Sequence, residues 1–384
     1  MTTTKNYHWR IAGFYFFYYA FVGMFAPYWS LYLKSLHFSV IEIGVLMSMQ
    51  PIMRMLAPNV WGWLADHTGK RLLVVKIAAT MSAIFYLGVF FTTSFWGLMT
   101  VLVLLNFFWS ASMPLVEATT LTYLGKNTAH YGRIRSWGSI GFIVSVVGLG
   151  YAFDYIAISW LLWAGLICEI GILLFARQIP KTEILAHHTD HQPIKQIVLL
   201  PPVLALFSAC FLMSVAHGPY YTFYSIYLVE HGYSKGAVGM LWALGVICEI
   251  GVFFVMPQLI RRFGLVNILL FSFAAAVLRF MLIGWTVDIL LLLLLAQVLH
   301  AATFGAYHAA SVGMVHQYFQ GRHQSKGQAL FGSFTYGAGG VLGGLVSGPI
   351  WQHFGASALY SFSAMMALLG GLIMLKMRSA NAET

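Results

Sequence analysis

Long, uninterrupted apolar runs are the feature that most constrains how this 384-residue chain can fold. A helix needs about 20 apolar residues to cross the ~30 Å hydrocarbon layer of a bilayer. Because only helices satisfy their own backbone hydrogen bonds at this length in lipid, the runs predict an all-α membrane protein. We predict twelve membrane-spanning helices, at residues 11–33, 40–62, 72–92, 95–122, 136–153, 157–176, 203–228, 236–258, 266–286, 288–312, 327–350 and 356–376.

Charged residues are too rare for a water-facing surface. They make up 8% of the chain, whereas hydrophobic residues make up 60%; roughly a quarter of the residues of a soluble domain are charged. Lipid is therefore the expected main solvent. The formal net charge of +10 resides in short pieces between the apolar runs, with no basic stripe among exposed aromatics, so we predict no nucleic-acid partner.

The distribution of Lys and Arg predicts an orientation. If the N-terminus is cytoplasmic, 17 of the 21 basic residues lie on the cytoplasmic side, and Lys34 and Lys235 lie opposite. Arg54 and Arg279 fall within the spans. This asymmetry follows the positive-inside rule. We expect a multi-pass protein of the bacterial inner membrane with both termini in the cytoplasm.

One polar connection divides the chain in two. We predict an N-terminal six-helix bundle at 1–177, a cytoplasmic linker at 178–200 and a C-terminal six-helix bundle at 201–384. The linker carries four residues of metal-ligand type, His187, His188, Asp190 and His191. Such clusters in a long loop are more typical of a solvated segment, so we predict no metal site.

The two halves also echo each other. The turn GWLADHTGKR at 62–71 follows the second span, and PQLIRRFG at 257–264 follows the eighth. Alignment of Gly69 with Gly264 gives an offset of 195 residues. Parallel repeats joined by a linker are typical of secondary transporters, whose solute site is expected near the bilayer midplane between the repeats.

The turn after the second span carries a recognisable motif. It reads Gly62-x-Leu64-Ala65-Asp66-x-x-Gly69-Lys70-Arg71, and it resembles the loop signature of the major facilitator superfamily. The resemblance implies that fold over the whole chain. It also implies a gating role for the loop, in which charge contacts of Asp66, Lys70 and Arg71 hold helix ends together in one state.

A narrower resemblance covers the fourth and fifth spans. Pro114-x-Val116-Glu117-Ala118, followed by Tyr131-Gly132-Arg133-x-Arg135-x-x-Gly138, is similar to the lactose permease family. FYFFYYAFVGMFAPYWSLYLKSL, YGRIRSWGS, AHGPYYTFYSIYLVEHGYSKGAVGMLWALGVICE and LHAATFGAYHAA resemble bacterial transporters of 3-phenylpropionate. These resemblances imply a proton-coupled importer of a small organic solute.

Ionisable groups inside membrane spans are costly and are functional candidates by default. Glu117 and Arg135 are separated as in the family's carboxylate–arginine pair and are predicted to contact solute, with Asn106 on the same helix face as Glu117. The alternative is a structural pair that closes the helix hairpin. Arg54 is either a clamp for a solute carboxylate or an arginine that snorkels to the headgroups.

The second half offers proton-coupling candidates. Glu249 lies deep in the eighth span and is expected to exchange partners, with Arg135 one of them, as the halves move; a permanent ion pair is the alternative. His300 and Arg279 match a histidine and an arginine of the lactose permease family's proton cluster. Gln297 and Thr303 stand where that family has a lysine and a glutamate, so its relay is not expected intact.

The seventh span contains a Gly/Pro interruption at His217-Gly218-Pro219-Tyr220-Tyr221. Interrupted helices mark binding sites in transporters, so His217, Tyr220 and Tyr221 are predicted to contact solute. Core packing of these aromatics is the alternative. A second glycine feature, the row Gly340, Gly344 and Gly348, is predicted only to bring two helices close together.

We therefore predict a monomeric secondary transporter, most simply a proton-coupled importer of a small aromatic carboxylate. Symport of a neutral sugar or nucleoside, or metabolite efflux, remains open. The sequence contains no phosphate-cradling glycine loop, GxSxG or HExxH, so neither an enzyme nor a cofactor is expected. A membrane-embedded enzyme or sensor is the remaining alternative of a different class.

Overall fold

The computed structural model describes residues 8–125, 130–180 and 194–382. Within these ranges the chain is helical and contains no strand, which confirms the predicted all-α class. The metal-ligand types of the linker, His187, His188, Asp190 and His191, lie outside the described residues.

The first half contains six long helices. They are α1 (His8–Ser35), α2 (Val40–Thr68), α3 (Arg71–Tyr86), α4 (Phe95–Leu124), α5 (Tyr131–Phe153) and α6 (Leu161–Gln178). Short 3₁₀ segments, Leu87–Phe90 and Ile158–Trp160, extend α3 and precede α6.

The second half is less regular. Its α-helices are α7 (Lys195–Val198), α8 (Pro201–Glu230), α9 (Lys235–Trp285), α10 (Leu290–Val298), α11 (Tyr307–Tyr318), α12 (Gln324–Gly332) and α13 (Gly340–Ala382). Two π-helical segments, Ala301–Ala306 and Ser333–Gly339, connect α10 to α11 and α12 to α13. A 3₁₀ turn at Gly321–His323 precedes α12.

Ten helices in the described ranges are long and apolar enough to cross a membrane. Two of them, Lys235–Trp285 and Gln324–Ser379, have 51 and 56 residues, more than twice the length that one crossing needs. Each contains a glycine with non-helical backbone angles, Gly264 at φ 74° and Gly355 at φ 82°. The predicted boundaries at 258/266 and 350/356 enclose these glycines, and the twelve-span count stays a prediction.

Local sequence explains where several helices begin and end. Ser39 caps α2 in a capping box, in which its hydroxyl accepts from the Glu42 amide and the Glu42 carboxylate accepts from the Ser39 amide. α2 ends at Gly69, whose φ of 64° is left-handed and disfavours a side chain. Gly264, its predicted repeat mate, also has a positive φ.

The chain packs as two compact units. One comprises Met1–His187 with Ser234–Met240, and the other comprises His188–Tyr233 with Leu241–Thr384. Ser234–Met240 pack with the first half, and the predicted boundaries, with a linker at 178–200, stay a prediction.

In the first unit, α1 packs against α5 and α6, and α4 packs against α2 and α3. The α1–α5 contact is a backbone approach, since a Cβ on Gly141 would lie 2.1 Å from the Phe16 carbonyl oxygen. In the second unit, α8 packs along α13. A Cβ on Gly218 would lie 2.4 Å from the Gly343 carbonyl carbon. The backbones of α8 and α13 therefore meet at Gly343, next to Gly344 of the predicted glycine row.

The first turn of α9 is hydrogen-bonded to residues of the first unit. Asp154, which follows α5, accepts hydrogen bonds from the Lys235 amide at 2.8 Å and from the Gly236 amide at 3.1 Å. The Lys235 ammonium donates to the Phe153 carbonyl at 3.1 Å. Asp154 thereby satisfies two of the amides that a helix start leaves without partners.

Large apolar side chains cover much of the outer surface. Phe91, Trp96, Phe254, Leu291 and Phe354 are each more than 70% exposed. Patches of this kind are unfavourable in water and are compatible with hydrocarbon. The protein is thus a multi-pass membrane protein.

Candidate functional site

In the first unit, Arg135 of α5 rests on aromatic residues of α1. Its Nη2 donates to the Tyr19 hydroxyl at 2.5 Å, and its guanidinium carbon lies 4.1 Å from the Tyr19 ring centroid. Gly138, one turn further along, makes room for this contact, because a Cβ there would lie 2.7 Å from the Tyr19 ring. Cation and ring are therefore in direct contact.

Glu117 of α4 lies in the same unit but has a different partner. Its Oε1 accepts a hydrogen bond from the Tyr131 hydroxyl, and the carboxylate forms no ion pair within 4 Å with Arg135, which is also described. Glu117 and Arg135 therefore each contact a tyrosine, Tyr131 and Tyr19, instead of each other. Both charged groups are only half-buried.

Asn106 and Arg54 occupy different environments. Asn106 is fully buried; its side-chain nitrogen donates to the Leu102 carbonyl at 2.8 Å, and its Oδ1 has no partner. Arg54 is exposed, and its guanidinium carbon lies 5.3 Å from the Trp109 ring. Trp109 in turn stacks on Tyr18 at 4.1 Å, so Arg54 contacts the edge of a buried aromatic stack.

One buried carboxyl carries no role in the sequence prediction. Glu169 of α6 is 0% exposed and accepts a hydrogen bond from the Ser82 hydroxyl of α3 at 2.8 Å. Its second oxygen has no partner. The Glu169–Ser82 contact joins α3 to α6, as expected of a structural hydrogen bond inside a bundle.

In the second unit, a polar network surrounds Tyr220 of α8. The Tyr220 hydroxyl donates to Gln297 Oε1 at 3.1 Å, and Gln297 Nε2 donates to the Tyr224 hydroxyl at 2.5 Å. Trp242 of α9 packs 4.7 Å from the Tyr220 ring. Gln297 therefore uses both ends of its amide where the lactose permease family has a lysine.

Arg279 is the only arginine among the fully buried side chains of the described residues. Its Nε donates to the Ala296 carbonyl at 3.0 Å and its Nη1 to the Thr303 hydroxyl at 3.4 Å. The guanidinium carbon lies 4.2 Å from the Tyr220 ring centroid. No described carboxylate lies within 4 Å of Arg279, and its Nη2 has no partner.

Glu249 and His300 do approach each other. His300 Nε2 lies 4.0 Å from Glu249 Oε2, and His300 Nδ1 has no partner. Two glycines permit the approach, since a Cβ on Gly305 would lie 3.0 Å from Glu249 and one on Gly245 would lie 3.1 Å from His300. The predicted Glu249–Arg135 exchange involves residues of separate units and stays a prediction.

His217 and Tyr221 border the Tyr220 network. His217 Nδ1 lies 2.9 Å from the Met213 carbonyl, so this nitrogen carries the proton, and His217 Nε2 has no partner. Tyr221 is half-buried, whereas His217 and Tyr220 are buried. Despite Gly218 and Pro219, α8 continues without a break through this segment; the predicted interruption is therefore only a helix-internal proline.

The loop motif lies at the junction of α2 and α3. Asp66 and Lys70 are exposed, Gly62 and Arg71 are half-buried, and Gly69 forms the left-handed cap. Among the described residues, the charged members of this motif form no ion pair within 4 Å. The predicted latch contacts are therefore absent here, and their role in another state stays a prediction.

Sequence reasoning left out several residues of these clusters. Trp109, Tyr19 and Trp242 hold cations or the Tyr220 ring in place, and they are hard to distinguish among 62 aromatic residues, 12 of them Trp, 20 Tyr and 30 Phe. Their predicted spans, 11–33, 95–122 and 236–258, carry no arginine or histidine, so no sequence signal singles them out.

Comparison with known proteins agrees with the geometry. The family model described as "MFS_1 like family" matches residues 8–362. A probable 3-phenylpropionic acid transporter of Escherichia coli (strain K12) is 28% identical over 94% of this chain and 95% of its own. A maltose permease of Geobacillus stearothermophilus is 26% identical over 94% of this chain and 92% of its own.

A solved structure supports the same fold. The crystal structure of nucleoside transporter NupG superposes with a TM-score of 0.80, at 18% identity, over 97% of this chain and 98% of that one. The relatives are transporters rather than enzymes. The chain belongs to the MFS_1-like family, and it is a secondary transporter of the major facilitator type.

Proposed function

We propose that the protein is a monomer that imports a small aromatic monocarboxylate, of the 3-phenylpropionate type, together with a proton across the bacterial inner membrane by alternating access. The observation that carries the proposal is shared by the three arginines Arg54, Arg135 and Arg279. Each rests on an aromatic ring, and none forms an ion pair with a described residue within 4 Å.

The physical reason is charge balance. A guanidinium inside a membrane protein is expensive unless it is paired, and it is suited to two-point recognition of a carboxylate. A solute that brings both a carboxylate and an aromatic ring complements cations that lie on aromatic faces. In this proposal Arg135 and Arg54 bind the carboxylate, and aromatic side chains of α1 contact the ring, all within the first unit.

Proton coupling is assigned to the Glu249–His300 pair. The two groups are 4.0 Å apart. A carboxylate and an imidazole at this distance can share one proton, which is the minimum that symport requires.

Uptake of a sugar or nucleoside is the second candidate. Glu117 uses Oε1 for Tyr131, which leaves Oε2 as an acceptor for a solute hydroxyl. The relatives include a maltose permease and nucleoside transporters.

Whole-cell uptake separates the two candidates. Cells that overproduce the chain are expected to accumulate radiolabelled 3-phenylpropionate at least several-fold above vector controls, with collapse of the signal when a protonophore is added. Accumulation of labelled maltose or uridine, with phenylpropionate at the control level, would replace the carboxylate proposal with the second candidate.

A further inference from the structure

We infer that the carboxylate of the transported solute serves as the counter-ion of Arg279, in a second anion position within the C-terminal unit. The inference rests on the proposed function, because it assumes an anionic solute. It gives Arg279 a role other than the predicted one in proton coupling. It also adds a fully buried cation to Arg54 and Arg135 of the first unit as a group that binds the carboxylate.

The first observation is an unbalanced charge. Arg279 is 0% exposed, and its partners are a carbonyl oxygen, a hydroxyl and the face of Tyr220. Neutral partners and a ring face offset only part of the cost of burying a guanidinium. Arginine does not lose its proton in proteins, so the charge itself cannot be removed.

The second observation is a set of unused nitrogens around the same rings. Arg279 Nη2, His217 Nε2 and His300 Nδ1 are all buried without a partner. Buried polar atoms are almost always hydrogen-bonded, and exceptions call for an explanation. These three come from α9, α8 and the junction of α10 with the first π-helical segment, and they converge on two aromatic side chains, Tyr220 and Phe280.

Distances show how close the convergence is. His300 lies 5.7 Å from the Tyr220 ring, and Arg279 lies 4.2 Å from that ring. On the other side His217 lies 5.1 Å from Phe280, and Arg279 lies 5.5 Å from it. A carboxylate bound at Nη2 would accept from the guanidinium alone, because His217 carries its proton on Nδ1 and its Nε2 is itself an acceptor.

The rings around Arg279 include one partly exposed neighbour. Tyr221 is half-buried and packs 5.4 Å from Tyr220, so an aromatic face leads inward from a partly accessible side chain. The first π-helical segment, Ala301–Ala306, follows His300 and includes Thr303. Such segments frequently occur at functional sites, and this one contains Thr303, whose hydroxyl accepts from Arg279.

Thr303 follows from this geometry as a specificity-determining position. Its hydroxyl contacts Arg279 Nη1, so an acidic side chain there would provide an internal counter-ion. Thr303→Asp is therefore expected to remove the need for an anionic solute. Thr303→Val has nearly the same shape without the charge, and it is the matched control.

Ligand-dependent thermal unfolding of the purified full chain in chloride-free buffer tests the inference. The probes are 3-phenylpropionate and its neutral analogue 3-phenylpropionamide, since a ligand that binds the folded state raises the unfolding temperature according to its affinity. Wild type is expected to prefer the carboxylate. Arg279→Gln and Thr303→Asp are expected to lower the affinity for the carboxylate by a factor of about 10 to 100, with the affinity for the amide unchanged.

The controls make the test decisive. Thr303→Val and the exposed-arginine variant Arg262→Gln are expected to keep the wild-type preference. Thr303→Asp covers the case in which Arg279→Gln does not fold, because it retains the arginine. A carboxylate preference that survives in both Arg279→Gln and Thr303→Asp would overturn the inference.

Two further outcomes also count against it. Stabilisation of wild type by chloride alone, abolished by Arg279→Gln, would assign the position to an inorganic anion. Loss of binding of both 3-phenylpropionate and 3-phenylpropionamide in a folded Arg279→Gln variant would show that Arg279 has a structural role. Failure of wild-type cells to take up phenylpropionate would overturn the proposed function and this inference together, whereas intact uptake with an unchanged preference would overturn the inference alone.

Discussion

At the scale of single residues, aromatic rings hold the membrane-embedded cations. Arg135 lies on Tyr19, Arg54 lies against Trp109, and Arg279 lies on Tyr220. A ring face attracts a cation without neutralising it. Each guanidinium can therefore still pair with an anionic ligand. A protein carboxylate in contact with it would already balance its charge.

The Tyr19 hydroxyl is expected to orient Arg135 for its ligand. Tyr19→Phe keeps the ring and removes the 2.5 Å hydrogen bond, so the apparent KM for 3-phenylpropionate is expected to rise about tenfold, in line with a lost hydrogen bond to a charged group. Initial-rate uptake in cells measures the change. The exposed Tyr155→Phe is the control, and equal KM values for the two variants would contradict the prediction.

Glu249 is expected to be required for energised uptake but not for exchange. Glu249→Gln cannot take up and release a proton, so accumulation against a gradient should fall to equilibration, whereas counterflow between solute-loaded proteoliposomes should persist. Glu42→Gln is a matched control, because a glutamine also completes the capping box of α2. Proton-driven accumulation at the wild-type level in Glu249→Gln would remove this residue from the coupling step.

Sequence alone places these residues in the membrane but does not choose their partners. The scarcity of charge singles out Glu117, Arg135, Glu249 and Arg279 as candidates in or beside the predicted spans. Which ring or hydroxyl each one contacts depends on helix rotation, and an apolar span with aromatics on all sides does not specify rotation. That is why Tyr131, rather than Arg135, lies beside Glu117.

At the scale of helices, glycines set the closest contacts. Gly218 of α8 faces the backbone of Gly343 in α13, and Gly141 of α5 faces the backbone of Phe16 in α1. Small residues that allow such approaches dominate helix association in lipid. The sequence shows where glycines lie but not which ones face a neighbour, so Gly344 of the predicted row is one residue away from the contact at Gly343.

Gly218→Ala is expected to destabilise the second unit. A methyl group 2.4 Å from a backbone carbon cannot be accommodated without moving α8 from α13, and overpacking of this kind costs about 1–3 kcal/mol. The melting temperature in detergent should fall by several degrees. Gly148→Ala, in a helix with nothing within 4 Å of the new methyl, should leave it unchanged or raise it; equal effects of both variants would contradict the assigned contact.

Removal of the Asp154 carboxylate is expected to release the first turn of α9. Asp154→Ala leaves the Lys235 and Gly236 amides without their acceptor, and loss of a helix cap costs about 1 kcal/mol. Hydrogen exchange at residues 235–238 should accelerate several-fold, with exchange in α3 unchanged. Asp154→Asn retains one of the two acceptor oxygens and should restore only part of the protection, whereas unchanged exchange in Asp154→Ala would refute the cap.

At the scale of the whole molecule, hydropathy predicted the fold class correctly, whereas the orientation inferred from the charge asymmetry stays a prediction. Apolar length alone predicted an all-helical membrane protein, and the positions of Gly264 and Gly355 agree with predicted breaks between spans. The departure is Ser234–Met240, which packs with the first unit. Chain order assigns it to the second bundle, whereas hydrogen bonds of Lys235 and Gly236 with Asp154 and Phe153 hold it in the first unit.

Both termini are expected in the cytoplasm. The 17-to-2 distribution of basic residues across the predicted sides requires an even number of crossings between them. Fusion of a periplasm-dependent phosphatase to residue 384 should therefore be inactive, and fusion of a cytoplasm-dependent fluorescent protein should be bright. The reverse result would invert the orientation or change the span count.

The two π-helical segments have a consequence for how this chain tolerates insertion and deletion. A π turn holds one residue more than the α turn it replaces, so it offsets the angular phase of everything beyond it by about 100°. Ala301–Ala306 and Ser333–Gly339 each introduce such an offset. The contact between His308 Nδ1 and the Tyr336 hydroxyl, at 2.9 Å, depends on both offsets. Deletion of one residue from either segment would keep the chain helical and apolar but would rotate one of these partners away from the other. Substitution scanning cannot detect such a defect, because it leaves the chain length unchanged.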